Sequence, residues 1–163
     1  MSRPFLPGIK RPCDFPAIAD SVLFEFLDLC YNRHLVVYIC LGTALGFYRN
    51  SGYLPNDPDL DVFISCDQIS RNALFNDLTV NGFILNSIPD ADPSMNAHFV
   101  KNAIFLDVWF KQRKDFMAFY QGDNYISYKN RRIRIPINIE KYLSCVYSDL
   151  NTPANTKANC FEP

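Results

Sequence analysis

"LGTALGFYRNSGYLPNDPDLDVFI", residues 41–64, decides how this chain folds, because one stretch holds both a strand-to-helix break and an acidic strand. It follows directly on the apolar run "LVVYICL" (35–41), whose β-branched content and length predict a buried strand. Gly42 breaks that strand, and "TALGFYRN" reads as a short helix ended near Gly52. Asp57, Asp59 and Asp61 then crowd together just before Val-Phe-Ile, so "DLDVFIS" (59–65) is a second strand with an acidic start.

Working outward, Ile18, Val22, Phe26 and Leu29 repeat at helical spacing and predict a helix from about Pro16 to Arg33. "DQISRNALFNDLTVNG" (67–82) predicts another, with Asp67 as N-cap. The second half reads mostly as strands: "FILNSI", "AHFVK", "AIFLDVWFK", "DFMAFYQ" and "YISYKNRRIRIP". Asn102 and Gly122-Asp123-Asn124 supply turns between them. A last helix, 138–148, puts Ile139, Tyr142, Leu143 and Val146 on one side. The order gives an α+β fold around one mixed sheet. Four prolines make residues 1–16 an extended arm, residues 17–153 form a single domain, and 154–163 are a loose polar tail.

Composition narrows the function. Of 163 residues, 48% are apolar and 15% aromatic, which excludes a disordered chain. A formal charge of −1 gives no general pull toward nucleic acid, which is not an expected partner, or toward acidic membranes. The six cysteines show no CxxC spacing and have only His34 and His98 to join them, so they read as reduced and structural. The N-terminal residues carry no apolar signal region, and no run approaches the roughly 20 apolar residues of a membrane span. The expectation is a cytoplasmic protein without membrane insertion.

Three readings compete for the acidic cluster. A solvated Asn-Asp-Pro turn explains Asp57 but not Asp59 and Asp61, which alternate with Leu60 and Val62 into a buried strand. A calcium loop fails where Val62 replaces the required glycine and Gln68 the bidentate glutamate. The third is a site for Mg²⁺ (or Mn²⁺) in phosphate chemistry. Asp59 and Asp61 share a strand face about 7 Å apart. Asp107, a lone carboxylate in "IFLDVWF", is costly to bury unless paired or metal-bound, the alternative being an edge-strand surface position. Asp59, Asp61 and Asp107 are therefore candidate metal ligands and catalytic residues. Gly42 lets backbone approach a phosphate at a helix N-terminus, and Thr43 adds a hydroxyl.

With these residues in place, the stretch resembles the LicD/fukutin family of the nucleotidyltransferase-fold superfamily, whose motif runs roughly GTLLGxxRxxGxIPWDDDID. Gly42, Thr43, Leu45, Gly46, Arg49, Gly52, Pro55, Asp57, Asp59 and Asp61 match its spacing without a gap, while Asn56 and Pro58 stand for its Trp and middle Asp. "IFLDVWF" is similar to its later strand, with Asp107 as the third carboxylate. "RIPINIEKYLSCVYSDLNTP" is similar to its closing segment through Pro136, Asn138, Tyr142, Leu143, Tyr147 and Pro153. The resemblance implies a nucleotidyltransferase-like mixed sheet flanked by helices. It also implies transfer of a phospho-alcohol group, such as phosphocholine or a phosphopolyol, from a CDP-activated donor to a sugar or other hydroxyl. Gly42, Thr43, Arg49 and Asp57 would contact substrate, and Asp107 would complete the metal site or take the acceptor's proton.

Other candidates carry two readings each. Arg49 lies either against a phosphate or across the C-terminus of its helix. Lys129, Arg131, Arg132 and Arg134 form a solvated face or contact an anionic acceptor or an RNA backbone. His98 is a structural histidine or assists proton transfer. Two further functions remain open: nucleotidyl transfer from an NTP to a small molecule, RNA end or protein, and an inactive binding module of the same fold.

Overall fold

The computed structural model describes residues 14–55, 57–88, 95–111 and 114–150. Its sheet is built around the acidic strand. β1 (Val37–Ile39), β2 (Asp59–Ile64), β3 (Ile84–Ser87), β4 (Asn96–Lys101) and β5 (Ile104–Trp109) lie in the order β1-β2-β5-β4-β3. The central pair, β2 and β5, is parallel, and the other neighbours are antiparallel. All six β2 residues are buried, as expected of a strand covered on both faces.

Alternation sorts these faces. Leu60, Val62, Leu106, Val108 and Phe99 point to one side, where α1 (Phe15–Asn32) and α3 (Gln68–Val80) supply Phe26 and Phe75. Phe75 meets Phe99 edge-on at 5.2 Å. Asp59, Asp61, Phe63 and Asp107 point to the other side, where Tyr120 stacks on Phe63 at 4.0 Å. α2 (Leu41–Asn50), α4 (Lys114–Met117) and α5 (Ile139–Val146) complete the helices. Asp67 caps α3 by accepting from Ser70 N at 2.7 Å.

β6 (Tyr125–Tyr128) and β7 (Arg131–Arg134) form a separate two-stranded sheet, so the single mixed sheet is corrected to a sheet plus a hairpin. Lys129 and Asn130 turn the hairpin with φ of 46° and 64°, both positive as a tight two-residue connection demands. The basic face it carries is largely ion-paired. Lys129 bonds Asp20, Arg131 grips both oxygens of Asp28 at 2.6 and 3.0 Å, and Arg134 bonds Asp123. Arg132 lies 4.0 Å from the Tyr125 ring centroid.

Four further expectations change. α1 already begins at Phe15, so the end of the expected arm is helical; residues 1–13 lie outside the described residues. The first strand is three residues long, because Leu41 has joined the helix. α2 ends at Asn50 on a left-handed Ser51 (φ 54°) rather than on Gly52. "DFMAFYQ" is a helical turn and not a strand: Phe116, Phe119 and Tyr120 wrap Tyr142 at centroid distances of 5.9, 5.6 and 5.7 Å. That aromatic packing overrides strand propensity. Cys30, Cys40, Cys66 and Cys145 are free thiols; burial pushes Cys30 well up, so it stays protonated and inert. Cys13, Cys160, Pro153 and the expected tail lie outside the described residues. Among the described residues no helix is long and apolar enough to cross a membrane.

Candidate functional site

Three carboxylates meet where β2 begins. One oxygen from each of Asp57, Asp59 and Asp61 lies within 4.8 Å of the others. Asp59 and Asp61 are only 4% and 2% exposed, and Asp57 is half-buried. Ionised, each pair at that distance repels by on the order of 3 kcal/mol at an effective dielectric near 20. Asp107 stands on the neighbouring strand directly across from Asp61, 2% exposed. Asp57, expected at the substrate, is thus the third member of the tight set, and Asp107 flanks it.

The row continues across the sheet. Asp107 is the register partner of His98 on β4, and His98 Nδ1 lies 3.2 Å from Ser87 Oγ on β3. His98 is therefore beside Asp107 on the same face, a placement its strand position alone did not reveal.

The start of α2 locks onto Asp61 from three directions. Cys40 N donates to Asp61 O at 3.0 Å, Gly42 N to Asp61 Oδ2 at 3.0 Å, and Asp61 N to Thr43 Oγ1 at 2.8 Å. Thr43, expected as a hydroxyl donor, acts here as an acceptor that ties helix to strand. The chain break belongs to Leu41, not to Gly42: Leu41 takes a left-handed φ of 44°, at a cost of about 1–2 kcal/mol for a side-chain-bearing residue. Gly42 is needed for proximity. A Cβ there would lie 2.2 Å from Asp57 Oδ2 and 3.1 Å from Asp61 Oδ2.

Arg49 is turned elsewhere. From the last turn of α2 its Nε donates to Leu150 O and its Nη2 to Asp149 O at 2.9 Å, so it pins the segment after α5. α5 and the residue that caps its C-terminus deliver two tyrosines. Tyr142 Oη accepts from Leu41 N at 3.1 Å. Burial, then the neighbouring Cys40, push the Tyr142 hydroxyl well above its ordinary range, and Asp61 adds to the effect. Tyr147, also buried, is raised by burial first and then by the charges of Asp61 and Asp57. Helical spacing marks Tyr142 as buried, Tyr147 enters only through the family resemblance, and a buried hydroxyl needs a partner. Which partner depends on contacts 101 residues apart.

Hard carboxylate oxygens converging at the mouth of a sheet fit Mg²⁺ or Mn²⁺, which favour one or two carboxylates plus phosphate oxygens and water. The space that only a glycine leaves at position 42 is part of that fit.

Comparison with known proteins agrees with this geometry. Residues 34–141, more than half of the chain, match the family model described as LicD/FKTN/FKRP, nucleotidyltransferase domain. No curated protein matches the chain in sequence. Among solved structures, the antibiotic-resistance factor ANT(2'')-Ia in solution superposes with a TM-score of 0.55 at 13% identity, covering 74% of this chain and 66% of its own. This chain therefore spans just under two thirds of that protein. The lincosamide antibiotic adenylyltransferase LnuA, with lincomycin bound, gives 0.53 at 17% identity over 77% of this chain and 84% of its own. ANT(2'')-Ia in complex with adenylyl-2''-tobramycin gives 0.54 at 14%, over 73% and 69%. At these identities the likeness establishes the fold.

Proposed function

The chain belongs to the LicD/FKTN/FKRP nucleotidyltransferase-domain family, and from that premise we propose that it moves a phospho-alcohol group from a CDP-activated donor to a hydroxyl acceptor such as a sugar. Family membership makes it a transferase of phosphate-containing groups. The observation that carries the finer reading is the three-carboxylate set beside Asp107, locked to the N-terminus of α2 through Gly42 N–H and Asp61 Oδ2.

Asp57, Asp59 and Asp61 would hold Mg²⁺ or Mn²⁺, which supplies neutralisation of the donor diphosphate and polarisation of the transferred group. Gly42 N–H keeps the Asp61 carboxylate oriented, and Thr43 holds β2 against α2. Asp107, one strand away, takes the proton of the acceptor hydroxyl. The acceptor oxygen attacks the phosphorus bearing the alcohol, the bond to the CMP oxygen breaks, and CMP leaves with the electron pair. Burial of Asp61 and Asp107 would slow, without abolishing, attack by bulk water in place of the acceptor.

A second reading is nucleotidyl transfer, with attack on the α-phosphorus of an NTP and loss of pyrophosphate. It is favoured by size: the chain spans 84% of LnuA, whose name makes it an adenylyltransferase. Incubation with CDP-choline or CDP-ribitol and Mg²⁺ should release CMP slowly even without the true acceptor. Pyrophosphate release from any of the four NTPs, with CDP-alcohols inert, replaces the first reading by the second. No turnover of either donor class and no cation-dependent nucleotide binding leaves a binding module.

A further inference from the structure

The turn that presents Gly42 to Asp61 rests on a tyrosine hydroxyl. Leu41 adopts a left-handed φ of 44°, and its amide donates to Tyr142 Oη at 3.1 Å. One residue on, Gly42 N donates to Asp61 Oδ2 at 3.0 Å. Tyr142 has no exposed surface, and its ring is boxed in by Phe116, Phe119 and Tyr120. Its hydroxyl also bonds Tyr120 Oη at 2.8 Å, and Tyr120 lies flat on Phe63, two residues along β2 from Asp61.

We propose that Tyr142 is a positioning residue for the cation site: its hydroxyl holds the Leu41 amide so that Gly42 N–H stays aimed at Asp61 Oδ2. This rests on reading the acidic set as a cation site. Two observations separate it from ordinary core packing. A left-handed leucine persists only where its surroundings over-determine it, and such residues gather at functional sites. The amides of a first helical turn have no partner within the helix, and at this buried point the tyrosine oxygen supplies the acceptor. The second is the closed circuit of contacts. From Leu41 it passes through Tyr142 and Tyr120 to Phe63, and from Gly42 directly to Asp61, so both ends of the turn are referred to the strand that carries the carboxylate. Without the hydroxyl, the Leu41 amide is left buried and the turn relaxes away from Asp61.

Tyr142→Phe keeps the ring and removes the oxygen. On the full chain, amide exchange at Leu41 and Gly42 should accelerate about tenfold while β5 amides stay protected. Mn²⁺ affinity measured by calorimetry should fall about tenfold, the usual cost of losing a group that orients a metal ligand. Tyr120→Phe, which leaves the oxygen on Leu41, should lose less of both. Unchanged exchange at Leu41 and Gly42 overturns the proposal, and so does faster exchange with full Mn²⁺ affinity, which makes Tyr142 a packing residue only. If the unmodified protein binds no Mn²⁺, the cation-site reading fails and takes this one with it. Binding that is equal in protein and variant sinks this proposal alone.

Discussion

Gly42 and Gly46, four residues apart on α2, are constrained by what faces them rather than by their backbone angles, and the two constraints differ in kind. An added Cβ at 42 meets the end of the Asp57 side chain at 2.2 Å, and that carboxylate can swing away. An added Cβ at 46 meets Gly52 O at 2.6 Å and Leu54 N at 2.8 Å, backbone that cannot rotate aside. Gly42→Ala should therefore keep its melting temperature within a few degrees yet weaken Mn²⁺ binding about tenfold, read by thermal scan and calorimetry. Gly46→Ala should cost about 1–3 kcal/mol of stability, as overpacking does, seen as a lower urea midpoint.

Among the described residues the β6–β7 hairpin has no ladder pairing with the main sheet, so its anchors decide whether it stays docked. Asp20 is the deep one: 6% exposed, it takes Tyr53 Oη at 2.8 Å and the Lys129 ammonium. Burial and then the bond to Asp20 raise the Tyr53 hydroxyl far above its ordinary range. Asp20→Ala removes the acceptor of that part-buried hydroxyl and should cost about 1–3 kcal/mol. Arg131→Ala breaks an exposed pair with Asp28 and should cost less than about 1 kcal/mol, so denaturant unfolding ought to rank the two clearly. The elements also divide by how legible they were. The acidic strand, the long helices and the Asp67 cap rest on chemistry within a few residues, and each lies where the sequence put it. α4, the Leu41 turn and Arg49's grip on residues 149 and 150 rest on partners far along the chain, to which periodicity is blind. Asp57 falls between these cases: its turn is readable, but its approach to Asp59 and Asp61 depends on how residues 52–54 and Asp57 pack against Gly46 and Gly42 of α2.

Over the whole molecule, exposed carboxylates shape the acid limb of stability. The Arg33 hydrogen bond holds Asp77 below its ordinary value of 3.8, the Arg134 bond does the same for Asp123, and the Ser70 amide for Asp67. A carboxylate whose pKa is lower folded than unfolded adds stability that is complete above the unfolded value and lost as pH falls through the folded one. Urea midpoints should therefore be level near neutrality and decline once pH drops below about 4. A decline that starts above pH 6 would assign acid lability to some other group. The cation site has the reverse relation to stability, because carboxylates crowded without their ion repel.

That relation is tested most directly by titrating Mn²⁺ into the full chain and into the Asp59→Asn/Asp61→Asn variant, with a thermal melt of each in the absence of cation. The prediction is binding by the unmodified protein, loss of binding in the variant, and a variant melting temperature equal or higher. Equal Mn²⁺ binding by both proteins, or a variant that melts well below the unmodified chain, contradicts a carboxylate set built to hold a cation.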